Sequence, residues 1–201
     1  MPQVVHPTKA QLIKTTALLL DTRLPTEIAV DEILTTSGIS KGSLYHHFED
    51  LAELLEAAQV ARYAAWVDRS IEILITLVAT AKTREDLLDG LKKVTRLTQD
   101  PAYSATRYAR ARAIANAEHS PRFQRALGVE QSRLTDALID LIEEARNKGI
   151  YAKDFDARAG AVLVQAYTLG RMVDEFVEEP MDPEAWYQLI DKVVAKVFLA
   201  E

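Results

Sequence analysis

Apolar residues recur along nearly the whole chain at intervals of three and four, the spacing that gathers them on one side of a helix. No stretch alternates as a half-buried strand would. The pattern predicts a first helix over residues 9–21, with Leu12, Ile13, Thr16, Leu19 and Leu20 facing inward. A short second helix carries Val30, Ile33 and Leu34. Ser37-Gly38 ends it, because glycine can take the left-handed conformation that closes a helix, and Ser40 is placed to cap a third. A long helix is expected over residues 50–80, with Leu54, Leu55, Ala58, Ala61, Ala65 and Ile71 in register. Further helices are expected at 84–99, 101–118, 121–147, 157–178 and 183–199. The expected fold is all-α: a three-helix head over residues 1–50 and a second helical domain over residues 51–201.

The remaining composition narrows the class. The chain has 201 residues, 48% hydrophobic and 27% charged, enough to bury a core and too apolar for a disordered chain. The most apolar run, Ile71 to Ala79, contains Glu72 and Thr76 and is far shorter than the roughly 18 residues of a membrane span. Residues Met1 to Pro7 have neither a basic start nor an apolar core, so no export signal is expected and the protein is placed in the cytoplasm, with no membrane partner. The absence of cysteine excludes disulfides, thiolate metal sites and a cysteine nucleophile; no metal and no cofactor are expected.

The segment from Ala29 to Phe48 has the grammar of a helix-turn-helix: two turns of helix, a glycine stop, the apolar Ile39 as anchor, then a capped helix. On the helical wheel Leu44, Phe48 and Leu51 fall inward, while Gly42 and His46 point outward, flanked by Lys41, Ser43 and Tyr45. That outward set suits DNA. Gly42 admits the backbone to the duplex, Ser43 and Tyr45 offer hydroxyls to phosphate, Lys41 supplies a charge and His46 can read an acceptor in the major groove. Ser40 and the free amides beside it favour a phosphate, and Thr26 ahead of the motif completes the expected contact set. Charge argues the other way. The net charge is −6, and within the first 50 residues Lys9, Lys14, Arg23 and Lys41 are outnumbered by Asp21, Glu27, Asp31, Glu32, Glu49 and Asp50. DNA affinity normally draws on a basic excess, so the reading rests on local arrangement.

The run Gly38-Ile39-Ser40-Lys41-Gly42-Ser43-Leu44-Tyr45-His46-His47-Phe48, with the following Leu54, resembles the recognition helix and exit of the TetR family of one-component regulators. The resemblance covers about the first 55 residues and implies a homodimer, double-stranded operator DNA as partner, and a C-terminal pocket for a small-molecule effector. Three positions depart from the family pattern. Leu24 beside Pro25 stands where a glycine usually ends the first helix, Ala29 where Ser or Thr usually caps the second, and Leu51 where a lysine usually follows the phenylalanine. The last two remove phosphate contacts and predict modest affinity or narrow operator choice.

Other chemistry was weighed on the same residues. His46 and His47 diverge by roughly 100° on a helix and cannot hold one metal together; His47 is expected against the first helix, and His119 at a helix end. Gly38-Ile39-Ser40-Lys41-Gly42 matches the G-x-S-x-G elbow of serine hydrolases, which needs a preceding strand that the pattern does not supply. On the helix from Pro101, Ala102, Ala105, Ala109 and Ala113 form a small packing face. Tyr103, Arg107, Arg110 and Ile114, with Tyr167, are candidates to meet an anionic effector; the alternative is a solvated charged face. Val162, Ala166, Leu169, Val173, Leu189, Val193 and Val197 are the candidate dimer seam, with burial inside one subunit as the alternative. The expected function is a sequence-specific regulator, a repressor, released from a pseudo-palindromic operator by its effector. The alternatives are a dimeric small-molecule-binding protein with a weakened DNA head, or a helical serine hydrolase on Ser40.

Overall fold

The computed structural model describes residues 6–199, so most of the segment read for an export signal lies outside the described residues. Nine α-helices follow one another among those residues: α1 Pro7–Leu19, α2 Val30–Ser37, α3 Lys41–His47, α4 Leu51–Thr80, α5 Arg84–Gln99, α6 Ser104–Ala117, α7 Pro121–Asn147, α8 Ala157–Gly170 and α9 Pro183–Val193. The only strand-like pairing among them is an isolated bridge between Tyr151 and Leu199. None of the helices is long and apolar enough to cross a membrane.

Contacts divide the chain into two units. The first runs up to Trp66 and includes Asn116–Glu130; the second comprises Val67–Ala115 and Gln131–Glu201. The boundary expected after residue 50 therefore falls short. The reason is the head's core: Leu12, Leu20, Ile28, Ile33, Leu44, Phe48, Leu54 and Ala58 are buried together, and Leu51, Leu55 and Ala57 pack against them. Without the first turns of α4, one wall of that core would face water.

Chain punctuation follows the residues. Gly38 closes α2 at φ 70°, and its N–H donates to the Leu34 carbonyl. Asp50 accepts the Glu53 N–H at 2.7 Å, and Glu53 in turn accepts the Glu49 N–H at 2.7 Å, so acidic residues cap α4. Thr83 and Asp86 form a reciprocal capping box on α5, which holds the Asp86 carboxyl below its usual range through N–H groups of Lys82 and Thr83.

Several expected faces are corrected. In α4, Ala65 is exposed and Ile71 only half-buried; the inward residues after Ala58 are Tyr63, Val67, Leu74 and Leu77. The helix expected over residues 101–118 begins with a 3-10 turn, Pro101–Tyr103. Its inward face is Arg107, Arg110, Ala113 and Ala117, whereas Ala102 and Ala105 are exposed. The helix expected to reach residue 178 stops as α-helix at Gly170 and continues as a 3-10 turn, Arg171–Asp174. The last helix changes at Val194 into a π-turn over Val194–Phe198.

In the second unit Gly160 permits close packing. A Cβ there would stand 2.8 Å from the Phe155 ring, 3.1 Å from Phe198 and 3.3 Å from Ile142. Phe198 is in turn held between Phe155 and Tyr151, and its carbonyl accepts the Ala152 N–H at 2.8 Å. Gly160→Ala should therefore overpack this cluster and lower unfolding free energy by about 1–3 kcal/mol, measured by urea denaturation; an unchanged midpoint would show that the rings yield without cost.

Candidate nucleic-acid interface

The third helix is only seven residues long, too short to persist alone in water. Both ends and one side are fixed. Ser40 Oγ accepts the Ser43 N–H at 3.2 Å and lies 3.0 Å from Ser43 Oγ, while Leu44 and Phe48 are buried in the head's core. With that side committed, Lys41, Gly42, Tyr45 and His46 are exposed, Tyr45 to 45%; Ser40 is exposed and Ser43 half-buried. Nothing lies within 4 Å of a Cβ built on Gly42, so the backbone there is open to an approaching surface. The outward set read from the wheel is thus brought together on one face. Thr26 is also exposed, in a separate 3-10 turn, Pro25–Glu27. Ala29 gives α2 no side-chain cap, as its identity dictates.

Several acidic residues of the head have basic partners, two of which, Arg62 and Arg122, lie outside the first 50 residues. Arg23 pairs with Glu32 at 2.6 Å and Arg62 with Asp21 at 3.0 Å. Arg122, from the start of α7, bonds Glu56 at 2.7 Å and approaches Glu49 at 3.7 Å. Hydrogen bonding to Glu56 raises the Arg122 guanidinium further above its ordinary value, aided by the nearby charges of Glu53 and Asp50. Exposed pairs of this kind add little stability, but each sets a basic charge against an acidic one. Lys9 lies over the Phe48 ring at 4.9 Å.

His47 packs on His6, the residue that caps α1, with ring centroids 4.8 Å apart, and His46 meets His47 edge-on at 5.0 Å. Desolvation, then the charges of His6, His46 and Lys9, holds His47 below its ordinary value. That placement against α1 is the one expected. Ser40 follows a helix and a glycine turn, and its hydroxyl is engaged as a cap, so the strand required by a nucleophile elbow is missing at the G-x-S-x-G match.

The second unit scatters the candidate effector residues. Arg107 and Arg110 are buried, which overturns the solvated-face alternative; Tyr103 and Ile114 are exposed, which removes them from the same face. Tyr167 is half-buried with its hydroxyl 3.5 Å from Thr95 Oγ1, and burial pushes its phenol up. Sequence reasoning missed Arg171, Glu175 and Gln99. Gln99 is fully buried, donates to the Thr168 carbonyl at 3.1 Å and accepts from the Trp186 indole at 3.2 Å. Their signal was weak, because a polar residue on a helix face normally reads as solvent-exposed. Among the candidate seam residues Val162, Ala166, Val173, Leu189 and Val197 are exposed, and Leu169 and Val193 are half-buried; Leu163 and Phe176, the latter 72% exposed, extend the same apolar surface.

Solved structures match the fold across nearly the whole chain. A Mesorhizobium loti protein assigned to the TetR family superposes with a TM-score of 0.72 at 16% identity, covering 96% of this chain and 97% of its own. A TetR-family regulator of Cytophaga hutchinsonii gives 0.70 at 13% identity, covering 99% and 100%. A Saccharomonospora viridis protein classed as a transcriptional regulator, solved in complex with choline, gives 0.68 at 14%, covering 96% and 98%. No protein-family model and no curated protein matches the sequence. At these identities the likeness is one of fold: the chain has the all-α architecture of TetR-family regulators, with a helix-turn-helix head.

The Ser40 cap is testable apart from any ligand. Ser40→Ala should cost about 1 kcal/mol in the head's unfolding, followed by hydrogen exchange of the Gly42 and Ser43 amides. Unchanged protection of those amides would show that the core alone holds α3.

Proposed function

We propose that this protein is a homodimeric, sequence-specific transcriptional regulator of the TetR type, acting in the cytoplasm as a repressor and leaving a pseudo-palindromic operator when a small-molecule effector binds. One observation carries the reading: α3 is capped by Ser40, pinned by Leu44 and Phe48, and exposes Lys41, Gly42, Tyr45 and His46 on one open face. That is the form in which a short helix enters a major groove, with its N-terminal amides near phosphate and its side chains at base edges. The fold likeness supports the class, and the choline in the Saccharomonospora viridis structure supports an effector-binding role for the second unit.

Dimerisation is supported by the exposed apolar surface of α8, the turn after it and α9, where Val162, Leu163, Val173, Phe176 and Leu189 have no cover within the chain. A monomer rarely leaves such a patch to water. Two copies would carry two recognition helices to half-sites about one turn of DNA apart, roughly 34–36 Å. An effector bound more tightly in one head spacing would shift the dimer toward it by the difference in binding energy.

Binding to the DNA upstream of its own gene, followed by fluorescence anisotropy across a salt series, tests the reading. Sequence preference over scrambled DNA and a steep salt slope are expected. Lys41→Ala should weaken binding to both and reduce the slope by about one, while His46→Ala should relax preference at one base pair by about 1–3 kcal/mol. Equal affinity for both DNAs would favour a ligand-binding protein without an operator. Leu189→Glu should place a charge in the dimer seam and shift the protein to monomer in sedimentation; a dimer that survives it would move the seam elsewhere.

A further inference from the structure

The second unit buries positive charge. Arg107 is 2% exposed and Arg171 is 7% exposed, and no Asp or Glu of the described residues is buried to that degree. Arg110 is buried too and has a partner of its own. Arg107 spends its guanidinium on the end of α5: Nη1 donates to the Thr98 carbonyl at 2.8 Å and to the Asp100 carbonyl at 3.2 Å, and Nη2 donates to Asp100 and to a carboxylate oxygen of Glu175. These bonds satisfy carbonyls at a helix C-terminus and balance one charge with one.

Arg171 opens the 3-10 turn that leads from α8 to Glu175. Its neighbourhood is defined on both sides, since the Thr168 carbonyl one turn earlier accepts from Gln99 and Glu175 one turn later meets Arg107. Yet its buried Nη1 has no hydrogen-bond partner among the described residues, nor has Arg107 Nε or the second oxygen of Glu175. A buried guanidinium nitrogen left without an acceptor is costly. Among Arg107, Arg171 and Glu175 two positive charges face one negative, so even a Glu175 turned to serve both arginines leaves this trio one positive charge in excess.

We infer that Arg171, four residues before the carboxylate that meets Arg107, is the anchor of an effector site for a small organic monocarboxylate. The charge excess is one, which suits a single carboxylate. The guanidinium fork matches a planar carboxylate bidentately, whereas a phosphate would bring about two negative charges. Tyr167 and Trp186 bond to Thr95 and Gln99 on α5, the helix whose C-terminal carbonyls Arg107 satisfies, and are the aromatic residues proposed to meet the rest of the molecule. The site deepens the effector reading above and rests on it.

Thermal unfolding of the 201-residue chain, free of DNA and at constant ionic strength, tests the assignment, with acetate, benzoate and octanoate each compared with its neutral amide, and inorganic phosphate as a further arm. At least one carboxylate should raise Tm in proportion to the logarithm of its concentration, and its amide should not. Arg171→Met should unfold no earlier than wild type without carboxylate, since it removes an uncompensated charge, and should bind the carboxylate about tenfold or more weakly. Arg171→Lys should fall between the two, and Arg158→Ala, at an exposed arginine of the same unit, should respond as wild type. The inference is overturned if no carboxylate acts, if amides or phosphate act equally, or if the response survives in Arg171→Met. Because DNA is absent, failure here is read separately from failure of operator binding.

Discussion

A seven-residue helix has too few internal hydrogen bonds to hold itself in water, so everything the head offers to a partner depends on the burial of Leu44 and Phe48. Those two side chains sit in a core with Leu12, Ile33 and Leu54, drawn from α1, α2 and α4. Their spacing fixes the rotation of α3 about its own axis. Rotation, in turn, decides which residues face outward. The cap at Ser40 sets where the helix begins, and Gly38 at positive φ sets the angle at which the chain enters it. Loss of that burial would leave the same polar residues present and aimed nowhere.

Around that fixed helix the electrostatics are arranged by pairing. The acidic run Glu49-Asp50 with Glu53 looks hostile to DNA in one dimension, but in three dimensions these carboxylates cap α4 and face Arg122. Arg62 and Arg122 lie outside the first 50 residues and still belong to the head's unit. Net charge over a sequence window is a poor guide when a unit is assembled from separated segments.

The same distinction explains what the sequence disclosed. Ser40 to Phe48 was legible because cap, stop and inward pair are all local and share one helical period. The exposed apolar residues of α8 and α9 were legible as apolar surplus. The inward face of α6 was not: Ala102 and Ala105 looked like a packing stripe, but Arg107 faces in because carbonyls at the end of α5 and the carboxylate of Glu175 await it. That demand comes from residues 7 to 68 positions away, and no periodicity reports it. The early end of α8 is of the same kind, since Gly170 lowers helix propensity and the 3-10 turn after it carries Glu175 to the buried Arg107. The share of α4 in the head's core was not legible, because α4 reads as one unbroken helix although its first turns close that core.

Gly42 is a position whose identity the fold itself leaves open. It lies inside a helix, where glycine forgoes roughly 0.5–1 kcal/mol against alanine, and the fold leaves its Cβ position empty. Folding therefore places no demand for glycine here, and most side chains would be accommodated at no steric cost. Position 42 is a degree of freedom that the architecture hands over to whatever docks against it. Changes of binding preference can arise there without any repacking of the core.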